Sequence, residues 1–148
     1  MKKTKKDNKE ERKNMKGFRV KKAKSKKAGT NEIFTCFEGI ENYGVRVFHR
    51  GANEKAGEEY HTGDNPSKNP ERFYIANGRI EFNVSNGKED ERREVEKGMV
   101  VEIDPYVWHA TRTLSETIYL KVIEPGQKVN DTVFLTLGEY KERFGKKS

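Results

Sequence analysis

Three histidines and a few acids hold most of the chemistry this 148-residue chain can offer. His61 follows Gly57-Glu58-Glu59-Tyr60 at the entry to a loop. Glu71 begins a β-rich run that ends in Asn77-Gly78, and His109 follows Asp104-Pro105-Tyr106-Val107-Trp108. Imidazoles and a carboxylate meeting in one pocket can hold a divalent ion or move protons. These three lie far apart in sequence, so they meet only if their strands begin and end at one mouth of a closed sheet. His49 alternates with Val45 and Val47 along Tyr43–His49, opposite Arg46 and Phe48, and is a further candidate for that pocket. Tyr74 and Tyr106 read as core or rim aromatics whose hydroxyls can also donate into it.

The elements that must position these side chains are short strands between turn signals. Glu32–Phe37, Tyr43–His49, Arg72–Ala76, Arg79–Val84, Arg92–Glu96, Met99–Ile103, Trp108–Thr113 and Thr117–Ile123 are β-rich. Asn77-Gly78 reads as a tight hairpin turn, with Ser85-Asn86-Gly87-Lys88 and Lys97-Gly98 as further breaks. About eight strands at this spacing predict a sandwich or barrel, and no stretch is long enough for the crossover helix of a parallel sheet. One helix is expected, at the C-terminus. Thr136 and Glu139 form a capping box, Leu137, Tyr140 and Phe144 share a face, and Gly145 is the stop.

Charge is unevenly distributed. Residues 1–27 hold twelve lysines and two arginines against Asp7, Glu10 and Glu11, a net of +11 in a chain whose total is +7, so residues 28–148 are acidic at −4. The division expected is a flexible Lys-rich tail over 1–27 and a single domain over 28–148. Phe18 is the tail's one aromatic residue, so the tail is expected to be disordered alone and to touch polyanions weakly, with strong salt dependence. Cys36 is the only cysteine, which excludes an internal disulfide, and its apolar surroundings predict a buried, inert thiol. The basic start has no apolar stretch behind it and no window reaches a membrane span, so a cytoplasmic protein without a membrane partner is expected.

From Gly57 to Ala110 the chain resembles the two-motif core of the cupin superfamily. His61 fits the first histidine of the first motif, and Glu71 with Gly78 fits its glutamate and glycine with six residues between them. Gly98 through His109 keeps the spacing of the second motif. The second histidine of the first motif is here Gly63, the proline of the second is Asp104 and its glycine is Tyr106. An inserted loop, Asp64–Pro70, separates His61 from Glu71. The resemblance implies an all-β double-stranded β-helix, or jelly-roll barrel, with the short C-terminal helix and the basic tail outside it. It also implies a metal site of His61, Glu71 and His109, a set that suits Fe(II), Mn(II), Ni(II) or Zn(II) and leaves positions open for substrate. His49 or Asp64 is the candidate replacement for the missing histidine.

Three functions follow as expectations. The first is a metal-dependent cupin acting on a small polar molecule, a sugar or sugar phosphate, as an isomerase or dioxygenase. The segment Asp104–Ala110 is similar to the matching segment of cupin-type phosphoglucose isomerases. The second is a metal-free nucleotide-sugar epimerase or ketoisomerase in which His61 pairs with Tyr60, Tyr74 or Tyr106 as acid and base. The third is a non-catalytic ligand-binding module. Homodimerisation through an edge strand, with Glu32–Phe37 the candidate, is expected from fold-level analogy.

Overall fold

Strands with apolar side chains on one face build two antiparallel sheets that cover each other. The computed structural model describes residues 15–40, 43–124 and 129–145. The first sheet runs β1 (Phe18–Lys22), β9 (Met99–Ile103), β6 (Glu71–Asn77), β11 (Thr117–Ile123), β4 (Gly44–Arg50). The second runs β12 (Thr132–Phe134), β5 (Lys55–His61), β10 (Trp108–Thr113), β7 (Arg79–Ser85), β8 (Asp90–Glu96). A separate hairpin pairs β2 (Lys24–Ala28) with β3 (Asn31–Thr35). This is the jelly-roll architecture expected.

Phe73 and Ile75 of β6 meet Ile80, Phe82 and Val84 of β7 and Val95 of β8 between the sheets, all nearly inaccessible to water. Each such side chain stabilises the fold by on the order of 1.5–3 kcal/mol. One end of the sandwich is filled this way. Towards β5, β10 and β11 the interior becomes polar.

The domain begins earlier than residue 28. Phe18 and Val20 point into the core from β1, where they pair with Ile103 and Val101, and Met15 is buried beside them. Arg19 points outward, within 3.0 Å of Glu102 and 2.7 Å of Asp104. A count of lysines over 1–27 hides this strand, although Arg19 and Lys21 lie on the face opposite Phe18 and Val20. Residues 1–14 lie outside the described residues, and with them most of the expected polyanion-touching arm.

Asn77-Gly78 is not a hairpin turn. β6 and β7 lie in opposite sheets, so the pair makes a corner between them. Gly78 has φ +83°, and a Cβ there would stand 2.1 Å from the Glu116 carbonyl oxygen. Asn-Gly reports a left-handed bend, which serves a corner as well as a hairpin. The helix α1 (Leu137–Phe144) forms as expected, with both arms of its capping box made. It lies on the outer face of the second sheet, where Tyr140 packs with Tyr60, Trp108 and Leu135.

Candidate active site

The inner face of β5 carries Glu59 and His61, two residues apart, as strand periodicity requires. A bulge just before them sets their phase. Gly57 and Glu58 have φ +100° and +61°, and the register with β10 shifts so that Glu59 faces His109. Only glycine fits at the first position, because a Cβ on Gly57 would lie 2.9 Å from both the His109 carbonyl oxygen and the Ala110 Cα. Glu71, at the start of β6, and Lys121, in the middle of β11, come from the opposite sheet. Lys68 reaches in from the inserted loop.

These six side chains form one buried ionic cluster. His61 Nε2 is 3.0 Å from Glu59 Oε2 and 3.4 Å from Glu71 Oε1, and His109 Nε2 is 3.1 Å from the same Glu71 oxygen. Glu71 Oε2 accepts from both Lys68 Nζ and Lys121 Nζ at 2.7 Å. Behind His61, Nδ1 lies 3.0 Å from Thr132 Oγ1 and 3.5 Å from Asp131 Oδ1. The second oxygen of Asp131 accepts from the Gly63 and Asn65 N–H groups and ties the inserted loop to the site. The His109 Nδ1 stands 3.1 Å from the Val107 carbonyl oxygen, which can only accept, so that nitrogen carries a proton. His61 Nε2 and Glu71 Oε1 are buried and near charge, yet no aligned hydrogen bond satisfies either.

The charges hold one another in place. Burial alone would push His61 down, but the carboxylates of Glu59 and Glu71 override it and raise the imidazole to about 9. Glu71 is fully enclosed, which opposes its ionisation. The Lys121 charge and the two imidazoles reverse that and hold the carboxyl well below its usual range. Glu59 is partly buried, which opposes its ionisation, but is held low by His61 and His109. Lys121 is raised by Glu71 against its own burial, while Lys68 is lowered by burial and by the charge of Lys121. At neutral pH His61 is therefore an imidazolium beside two carboxylates.

The structure brings His61, Glu71 and His109 together, and separates the other expected residues from them. His49 points outward from β4 with Val45 and Val47 and is exposed. Asp64 is exposed in its loop and accepts from the Thr62 hydroxyl. Tyr74 lies on the outer face of β6, where its ring meets Phe34. Tyr106 lies outside and stacks on Tyr60, whose hydroxyl accepts from Arg143. So none of the three tyrosines pairs with His61. Its partner is Glu59. Sequence reasoning passed over Glu59, Lys68, Lys121, Asp131 and Thr132. Glu59 was marked by its i, i+2 relation to His61, and Lys121 by being the one charge inside Ile118–Ile123.

Glu59, His61 and His109 offer donor atoms within 4.8 Å of one another, close enough in space for an ion. A metal there would compete with the His61 proton that the two carboxylates hold, and Glu71, the carboxylate of the expected triad, already faces two ammonium groups. A groove of about 550 Å³ on the outer face of the second sheet, among Lys55, Glu81, Arg92 and Arg112, contains none of the cluster's side chains.

No protein-family model and no curated protein matches the chain. Solved structures do. A 3,4-ketoisomerase from Helicobacter canadensis superposes with a TM-score of 0.66 at 12% identity, over 87% of this chain and 98% of its own. A histidine variant of the 3,4-ketoisomerase from Thermoanaerobacterium thermosaccharolyticum, in complex with TDP-4-keto-6-deoxyglucose, gives 0.68 at 14% identity, over 88% and 95%. The dTDP-4-dehydrorhamnose 3,5-epimerase from Sulfolobus tokodaii gives 0.60 at 13%, over 84% and 79%. None of these three is a phosphoglucose isomerase, and that local likeness of Asp104–Ala110 gains no support. With its two facing five-stranded sheets and polar interior, the chain has the cupin jelly-roll fold, the fold of these sugar ketoisomerases and epimerases.

Proposed function

We propose that the protein is a sugar ketoisomerase or epimerase that works by proton transfer beside a carbonyl, with His61 and Glu59 as its acid–base couple and no metal in the step. The observation that carries this reading is the buried Nε2 of His61, 3.0 Å from Glu59 and without an aligned hydrogen bond. One proton on the imidazole and one vacant carboxylate give a donor and an acceptor side by side. The ketoisomerases and the epimerase of the same fold supply the substrate class, a nucleotide-linked keto sugar.

In a keto shift, Glu59 takes the hydrogen of the carbinol carbon as a proton. The His61 imidazolium gives its proton to the neighbouring carbonyl oxygen, and an enediol results. The reverse transfer follows at the adjacent carbon. The other hydroxyl returns a proton to His61, protonated Glu59 delivers its proton to the former carbonyl carbon, and the carbonyl has moved by one position. Lys121 and Lys68 keep Glu71 charged and place positive potential over the developing oxyanion, preorganised and costing no reorganisation. Two copies pairing through the exposed apolar side chains of Val45 and Val47 belong to the same proposal.

The direct test is incubation of the purified full chain with TDP-4-keto-6-deoxyglucose, followed by NMR. Appearance of the 3-keto isomer supports the reading. Unchanged substrate in this and other TDP-linked 4-keto sugars counts against it.

A further inference from the structure

His61 ends β5, and beyond it the chain leaves the sheet for the inserted loop. Its main chain is held on one side by pairing with Thr132 of β12 and by the Thr62 N–H on the Asp131 carbonyl oxygen, and on the other by a residue in an unfavourable conformation. Tyr106 has φ +65°, the left-handed region that a bulky side chain resists. It stands where the cupin motif has glycine. Its N–H donates to the His61 carbonyl oxygen at 2.7 Å. Its own carbonyl oxygen accepts from the hydroxyl of Tyr140 at 2.6 Å. Tyr106 is 49% exposed, with its ring against Tyr60 and Phe144, and a Val107 N–H to Asp104 carbonyl bond of 3.3 Å closes the turn around it.

Tyr140 is held firmly. It is 1% exposed, sits in a helix with a complete capping box, and packs on Tyr60 at 6.0 Å and Phe144 at 5.0 Å. Among the described residues, its hydroxyl is the side-chain donor on the Tyr106 carbonyl. We infer that Tyr140 is a positioning residue for His61: its hydroxyl holds the carbonyl on one side of the Tyr106 Cα and so the left-handed turn, and the N–H on the other side, in the preceding peptide, helps fix the end of β5 so that the imidazole aims at Glu59 and Glu71. Competence of the inner face then depends on a helix docked on the outer face. This builds on the reading of His61 as the proton-transfer group and adds an element remote from the cavity.

The test compares wild type, Tyr140→Phe and the double variant Tyr106→Gly/Tyr140→Phe, all as full chains. Tyr140→Phe keeps the ring and its packing and removes only the hydroxyl. Expected are an unchanged β-sheet circular dichroism spectrum, Tyr106 amide exchange at least ~10-fold faster, and shifted His61 ring resonances. With TDP-4-keto-6-deoxyglucose, kcat falls by about 10- to 100-fold with KM nearly constant, as for misplacement of a reacting group. Glycine takes up the left-handed turn without a clamp, so the double variant regains most of kcat. Unchanged amide exchange and unchanged His61 resonances in Tyr140→Phe overturn the inference, as does a loss of kcat that glycine at 106 does not restore. If wild type turns over no keto sugar but Tyr140→Phe still frees the Tyr106 amide and shifts His61, the sugar reading fails and the positioning role stands.

Discussion

His61 and Glu59 point to the same side of one strand, with Nε2 and Oε2 3.0 Å apart, and the carboxylate is the more open of the two at 18% exposure against 4%. An acid and a base are thus preset on a single rigid element, without a loop having to close over them. Glu71, across the sandwich, is nearly sealed at 1% and is occupied by Lys68 and Lys121. In the proposed reaction the two carboxylates divide their roles: Glu59 exchanges protons, and Glu71 holds charge.

Glu59→Gln keeps the shape of the side chain and removes its ability to accept a proton. Turnover should fall by roughly 10²- to 10⁴-fold, the usual contribution of a general base. The fold should be unchanged, as read by circular dichroism. A variant with near wild-type turnover would assign the proton transfer elsewhere.

The pH profile follows from the raised imidazole. The folded His61 titrates at about 9 against 6.5 in the unfolded chain, so its contribution to stability is fully present below pH 6.5 and is lost as pH rises through 9. Glu59 and Glu71 are depressed from 4.5, so theirs is present above pH 4.5 and is lost as pH falls through their folded values. Urea midpoints should form a plateau between about pH 4.5 and 6.5 and decline on both sides. His61→Asn should flatten the alkaline decline, and turnover should drop through the same region as the acid loses its proton. An alkaline limb that persists in the variant contradicts the assignment.

The barrel's presence and the meeting of His61, Glu71 and His109 were legible from turn spacing and the two-motif pattern. So was helix α1, from Thr136 and Glu139. The rest was hidden for definable reasons. Lys68 and Lys121 meet at Glu71 from a loop and from a strand about fifty residues away, a relation that no local period encodes. Asn77-Gly78 reports a left-handed bend but not which sheet the next strand joins. Phe18 and Val20 alternate with Arg19 and Lys21 as a strand should, but the charge count of the surrounding segment obscures the pattern.

Lys121 should be structural as well as electrostatic. Lys121→Met leaves Glu71 Oε2 with Lys68 as its remaining ammonium partner and should cost about 3 kcal/mol, as when one partner of a buried pair is removed. Adding Glu71→Gln should recover part of that loss, because the two sites share one interaction. Urea denaturation of the single and double variants checks it, and strictly additive losses would contradict the coupling.

Val45 and Val47 are 51% and 52% exposed on the outer face of the first sheet. If this face pairs two copies, light scattering should give twice the chain mass for wild type and a monomer for Val47→Lys. A monomeric wild type would remove the dimer from the account.

The most direct test of proton transfer by His61 and Glu59 is exchange in D2O. Wild type treated with EDTA and given TDP-4-keto-6-deoxyglucose should place deuterium on carbon next to the carbonyl, detected by mass spectrometry, and Glu59→Gln should not. Exchange that vanishes with EDTA and returns with added Zn(II), Mn(II) or Fe(II), or that survives in Glu59→Gln, would contradict it.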